Sequence, residues 1–257
     1  MILELVALIP EAQAILWSTW LVFLRVGAIV SVLPAFGEQS VPVRVRLGMA
    51  IAFTLIVAPT VPAAISPNGP LELIQQGLPE IAIGLIFGIF LRFFVLVLQI
   101  AGSIAAQSTS LSQIFGGTAG ADPQPAMAHV LVVAGLALAA LMGLHVQFAA
   151  YIIHSYQLVP VGELPSSTMI KDMGVSAVAR TFSLGFVLAA PFVIASLLYN
   201  VTLGVINRAM PQLMVSFVGA PAITAGGLFL LFLCAPIMLS IWIEALAAFT
   251  MNPGEAF

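Results

Sequence analysis

The sequence predicts an all-α integral membrane protein, and three observations carry that prediction. Of its 257 residues, 61% are hydrophobic and 7% charged, whereas a soluble domain carries about 25% charged residues. So few charges cannot clothe a water-exposed surface. The mean hydropathy is +1.17. The apolar residues fall into about six segments, each near the roughly 20 residues that a spanning helix needs. No soluble domain interrupts them, so residues 1–257 read as one domain.

The first apolar segment runs from about Ile15 to Leu33 and is stopped by Pro34 and Gly37. Ahead of it, Met1–Ile9 is too short to span and is expected to end at Pro10, at the interface or against the bundle. Glu4 and Glu11 stand where a secretory signal carries Lys or Arg, so no cleavable signal is expected. Phe36–Arg46 is a solvated connection with Glu38, Arg44 and Arg46. Pro42 suits the first turn of a second helix, about Val43–Val57, because N–H groups there have no intrahelical partner anyway. Pro59, Pro62, Pro67 and Pro70 forbid a continuous helix through the next stretch.

A third segment begins near Leu71 and is strongly apolar from Ile81 to Ile100. Glu72 and Glu80 at its start suit the positive end of a helix dipole. Gly77, Gly84 and Gly88 form either a stripe for close helix packing or glycines that a membrane helix merely tolerates. Ala128–Ile153 is a fourth segment, His154–Gly174 a connection, and Val175–Val205 a fifth segment bent or broken at Pro191. Asn207–Pro221 is a further connection, and Ala222–Met251 is the last segment, interrupted by Pro236.

Basic residues in the connections are Arg44, Arg46, Lys171 and Arg208. Six spans with Arg44, Arg46 and Arg208 on the cytoplasmic side would place both termini outside. That drawing also puts the loop after the third segment inside, although it has no basic residue. Pro59, Pro191 and Pro236 instead allow bent hairpins that do not cross fully.

That loop, Ser103–Met127, is the most unusual stretch. It reads SIAAQSTSLSQIFGGTAGADPQPAM, with Asp122 as its single charge. Loops of this length without periodicity are usually functional or disordered. Irregular backbone in a membrane protein must sit in water, be buried in protein or line a cavity. The loop therefore lies on a pathway through the molecule or outside the membrane.

Other candidates are charged or soft side chains. Arg25, Arg92 and Glu244 lie inside apolar segments, where an Arg costs about 2.5–3.5 kcal/mol on insertion scales. Each is expected to face the interior and find a partner, between helices or between subunits. An ion or proton pathway is the alternative, but no run of Asp, Glu and His shares a face with them. Met127 and Met142 read as core fillers. Met210 and Met214, beside Pro211 and Gln212, fit a filler and a deformable seal around a moving substrate equally well.

The composition excludes several functions. A net charge of −3 gives no basic field for nucleic acid. A single Cys234 gives no intrachain disulfide and no cysteine cluster. His129, His145 and His154 lack the spacing of H-E-x-x-H, and neither G-x-S-x-G nor a Walker A pattern occurs. No enzyme activity, cofactor or metal is expected.

Three stretches together resemble one family. Gly143–Gly162, GLHVQFAAYIIHSYQLVPVG, is similar to a helix and following turn of the FliR/SctT export-gate proteins of flagellar and virulence type III secretion. Leu203–Pro221, LGVINRAMPQLMVSFVGAP, is similar to the family's R-x-x-P-Q connection and G-x-P turn, here Arg208, Pro211, Gln212, Gly219 and Pro221. Val41, Pro42, Arg44, Arg46 and the following Leu-Gly match the family's first connection. The chain departs from the family where Met214 replaces a frequent Asn and Ile223 or Thr224 a frequent Lys. The flagellar branch resembles it more than the virulence branch does.

The resemblance implies a subunit of the flagellar export gate at the basal body in the bacterial inner membrane. FliP-like and FliQ-like subunits would be its immediate partners, with FlhB-like and FlhA-like proteins nearby and unfolded flagellar proteins as cargo. It implies a FliP-like front part, a FliQ-like final hairpin, and helices raised out of the membrane plane. It also implies that Ser110–Asp122 is a plug. Ile114 and Phe115 would supply its bulk, Gly116, Gly117 and Gly120 its backbone freedom, Ser110 and Gln113 its polar contacts, and Asp122 a stiff return into Pro123. Arg25, Arg92, Arg208, Met210, Pro211, Gln212 and Met214 would serve assembly or line the pore. The alternative is a small-molecule or ion transporter working alone, whose signature would be inverted repeats with paired broken helices; no convincing repeat is present.

Overall fold

The computed structural model describes residues 2–34, 37, 41–62, 67, 69–109, 126–210 and 215–254, without the side chains of 2–11, 215–218 and 220. Its described secondary structure is helical, as the sequence predicts. In chain order the helices are α1 (Ile2–Val32), α2 (Val43–Val57), α3 (Pro70–Ser108), α4 (Ala126–Leu141), α5 (Leu144–Leu158), α6 (Ser167–Ala209) and α7 (Val215–Met251), with a 3-10 turn at Ala58–Thr60. Among the described residues, five helices are long and apolar enough to cross a membrane, and up to six spans result if α4 and α5 count as one broken span.

Several boundaries differ from the expectation, each for a physical reason. Pro10 does not end a helix, because α1 continues through it; one interior proline removes one backbone bond and leaves the rest of the ladder intact. Pro42 stands at the N-cap of α2, one position before the first turn. The loop expected from Ser103 begins later, since α3 runs on to Ser108. Its polar residues do not compete with the helix: the hydroxyls of Ser108 and Thr109 both donate back to the carbonyl of Ala105.

The fourth segment is two helices. Gly143 has φ 79°, a left-handed conformation that a side chain disfavours, and it separates α4 from α5. The connection expected over His154–Gly174 shrinks to 159–166, and Lys171 and Asp172 stand on the first turns of α6. Ser166 caps that helix, its hydroxyl accepting from Met169 N at 3.2 Å. Pro191 lies within α6 without breaking it. Gly219 and Pro221, expected in a turn, are helical residues of α7.

The helices form two compact units. The first holds residues 1–93, 140–177 and 246–257; the second holds 94–139 and 178–245. In the first, α1 buries Leu21, Val22, Val26, Ile29 and Val30, the one-sided pattern of a 3.6-residue period. Against them α3 sets its glycine stripe. A Cβ on Gly84 would lie 2.5 Å from the carbonyl oxygen of Arg25 and 2.7 Å from Ala28 Cβ, and one on Gly88 would lie 3.2 Å from Ile29 O. The stripe is thus a packing surface. Tyr151 of α5 donates to Phe87 O at 2.9 Å and meets the rings of Phe87 and Phe249.

In the second unit the same principle works between other partners. A Cβ on Gly102 of α3 would run into the backbone of Ala128 at the start of α4, and one on Gly227 of α7 would run into Thr109. Trp242 of α7 is buried and donates its indole N–H to Phe94 O at 2.7 Å. Thr109, directly before 110–125, and Ala128, three residues after it, are therefore held in close packing.

Candidate functional site

The first unit contains a fully buried ion pair. Arg25 of α1 and Glu80 of α3 each have no exposed side-chain surface. Their helices come close enough only because Gly84 lacks a side chain where the backbone of Arg25 passes. The guanidinium and carboxylate meet as a fork: Nε donates to Oε2 at 2.7 Å and Nη2 to Oε1 at 3.1 Å. This is the bidentate geometry that makes Arg–carboxylate pairs strong.

The remaining donors go to the C-terminal end of α5. Nη1 donates to Ser155 O at 3.2 Å and to Val159 O at 2.9 Å, and Nη2 to Pro160 O at 3.4 Å. All five guanidinium N–H groups thus have acceptors. The carbonyls at a helix end carry the negative pole of the helix dipole, so a cation belongs there. Tyr156 lays its ring against the guanidinium, 3.7 Å from Cζ to the centroid.

Glu80 is satisfied as fully. Besides Arg25 it accepts from Gly162 N at 2.8 Å and from the Tyr156 hydroxyl at 3.4 Å. Gly162 presents its N–H from a left-handed conformation, φ 76°. A buried charge is tolerable only when paired and hydrogen-bonded in this way. The site joins α1, α3 and the α5–α6 connection with charge-assisted bonds, and its polar groups are occupied by one another.

Of the residues expected to act in assembly or line a pore, Arg25 is thus an inter-helix lock. Arg92 does not face the interior as expected; it is exposed on α3, and Glu244 is exposed on α7. Both helices turn those faces outward because their packed faces are filled by apolar residues and glycines. Arg208 is exposed in the last turn of α6, and Met210 follows it, also exposed. Met127 is buried as a core filler, but Met142 is exposed at the corner before Gly143. Pro211, Gln212 and Met214 lie outside the described residues, and so does the whole stretch Ser110–Asp122, including Gln113, Ile114, Phe115, Gly116, Gly117 and Gly120.

Sequence reasoning missed Glu80, Tyr156 and Gly162 as the surroundings of Arg25. Glu80 looked like a helix-start residue, but α3 begins ten residues earlier at Pro70. The usable signal was a carboxylate beyond the first turns of an apolar helix, which needs a cation. Among the described residues, no three His, Cys, Asp or Glu side chains gather as a metal group.

Residues 16–249 match the family model described as bacterial export proteins, family 1. The chain is 35% identical over 230 residues to the flagellar biosynthetic protein FliR of Caulobacter vibrioides, covering 87% of this chain and 90% of that one. It is 28% identical to FliR of Escherichia coli K12, over 86% of this chain and 87% of that one. FliR of Aquifex aeolicus is 24% identical, over 88% of each. With its long apolar helices and this full-length similarity, the chain belongs to the FliR family of bacterial export proteins.

Proposed function

We propose that this membrane protein is a subunit of the flagellar type III export gate, in the bacterial inner membrane at the flagellar basal body. It assembles with FliP-like and FliQ-like subunits, beside FlhB-like and FlhA-like proteins, into a conduit for unfolded flagellar proteins. Its part is gating and assembly, without catalysis. The observation that carries this reading is the similarity to FliR relatives along nearly the whole chain.

Helix lengths support it. Helices α3, α6 and α7 have 39, 43 and 37 residues, roughly 58, 64 and 56 Å if straight. That is about twice the ~30 Å hydrocarbon core. Such helices suit an assembly that stands out of the membrane plane better than a bundle confined to it. The apolar faces of α6 and α7, with Phe182, Phe186, Leu197, Phe229 and Phe232 exposed, suit neighbouring chains.

Ser110–Asp122 is the plug in this reading. Close packing at Thr109 before it and at Ala128 after it supports this reading, since a plug needs firm anchors. Co-expression with FliP-like and FliQ-like chains, mild detergent extraction and native mass measurement test the assembly. A larger complex containing all three is expected, and a chain that never copurifies with them defeats the proposal. Deleting 113–120 should leave that complex intact and make the membrane conduct ions; unchanged conductance removes the plug.

A further inference from the structure

Helix α7 begins with a short piece that its own backbone ladder holds weakly. Residues 215–220 precede Pro221 inside the helix. A proline there brings no N–H to the carbonyl four residues back, here that of Phe217, and its ring crowds that carbonyl. Kinks collect at such positions. So short a piece does not stand by itself, since isolated helices below about 12–15 residues are marginal in water. The start of α7 therefore needs support from outside its ladder.

Helix α6 supplies it, within the same unit. The Tyr199 hydroxyl donates to Gly219 O at 2.6 Å, across 20 residues of chain, near the short end of the O–H···O range. Gly219 is buried at this contact. A Cβ there would lie 3.1 Å from the Tyr199 hydroxyl oxygen and 3.2 Å from Leu203 Cδ1, so glycine lets both side chains reach the backbone. The clamp falls two residues before the proline, on the piece that the ladder holds least.

We propose that 215–220 is a hinged tip of α7, latched by the Tyr199 hydroxyl and turning at 219–221 when the latch opens. The swing re-aims the first turn of α7 relative to α6 while α7 beyond Pro221 stays helical. That such a swing serves gating rests on the function proposed above; the latch itself does not. The hydroxyl and the proline have opposite roles: one holds the tip in line, and the other supplies the joint about which it turns.

Hydrogen exchange on the full chain in mild detergent tests this device. The readout is the backbone amides of Gly219, Ala220, Ala222 and Ile223, whose helical acceptors lie four residues back on the tip. Tyr199→Phe keeps the ring and removes the bond. It should speed their exchange by about tenfold or more, and leave amides beyond Gly227 within about twofold of the parent. Adding Pro221→Ala to Tyr199→Phe restores the missing ladder bond and should slow the same amides again, to within about threefold of the parent. Unchanged exchange in Tyr199→Phe overturns the latch, and so does acceleration spread evenly along α7, which marks general loosening. No slowing on adding Pro221→Ala overturns the hinge. If Tyr199→Phe does not accumulate, Pro221→Ala alone decides: slower exchange at Gly219 and Ala220 supports the hinge, and unchanged exchange overturns it. A chain that never joins FliP-like and FliQ-like subunits defeats the export-gate reading, while these exchange rates still decide the latch.

Discussion

Arg25 and Arg92 are both lone arginines inside long apolar helices, and the fold treats them in opposite ways. Arg25 meets a carboxylate, three carbonyls and an aromatic ring, all supplied by its own chain. Arg92 is left on the surface with an apolar stripe around it. An arginine in a hydrophobic run therefore states that a partner is needed, without stating which molecule supplies it. Where the chain supplies the partner, the residue locks the fold.

The comparison can be broken most forcefully at Arg25. Arg25→Ala leaves Glu80 buried and uncompensated, and should cost roughly 3–5 kcal/mol. That loss is read as a lower melting temperature in mild detergent and a lower level in the membrane. Arg25→Leu combined with Glu80→Leu should recover much of the loss. A double variant no better than the worse single one would show that the pair is not the cause.

Gly84→Ala comes next, at about 1–3 kcal/mol, because the new methyl group must push α1 from α3. Its effect should not add to that of Arg25→Leu, since separating the helices also opens the fork; additivity within about 0.5 kcal/mol would uncouple the two. Gly162→Ala should cost about 1–2 kcal/mol through its left-handed backbone, in the same melting measurement.

The smallest effects sharpen the contrast. Arg92→Leu should change the stability of the partner-free chain by no more than about 0.5 kcal/mol, as for other surface sites. A melting temperature that falls as far as it does for Arg25→Ala would erase the distinction between the two arginines.

Much of the fold was legible because lipid and helix geometry leave few choices. The apolar segments and the start of α2 after Pro42 follow from composition and spacing, while for Gly84 and Gly88 spacing left a packing stripe and tolerated glycines equally open until the structure showed the close approach of α1. What was illegible depended on distance or context. Glu80 lies 55 residues from Arg25, and the carbonyls of Ser155 and Val159 lie 130 and 134 away; no local pattern joins them. The break at Gly143 hides inside a continuous apolar run, because a left-handed glycine leaves no mark on hydropathy. The extension of α3 to Ser108 hid behind Ser103 and Gln107, whose polarity suggests a loop. The exposure of Arg92 could not be read at all, since an outward and an inward arginine look alike in one dimension.

The Arg25 lock also imposes an order in time. Chains emerge from the ribosome at roughly 5–20 residues per second. Arg25 is made first, Glu80 comes 55 residues later and Ser155 130 residues later. For about 3–11 s the guanidinium exists without its carboxylate, and for about 7–26 s without the carbonyls of α5. Through that interval α1 carries an unpaired guanidinium, at about 2.5–3.5 kcal/mol if it is already inserted. The final seating of the first helix is thus deferred until more than half of the chain has been synthesised.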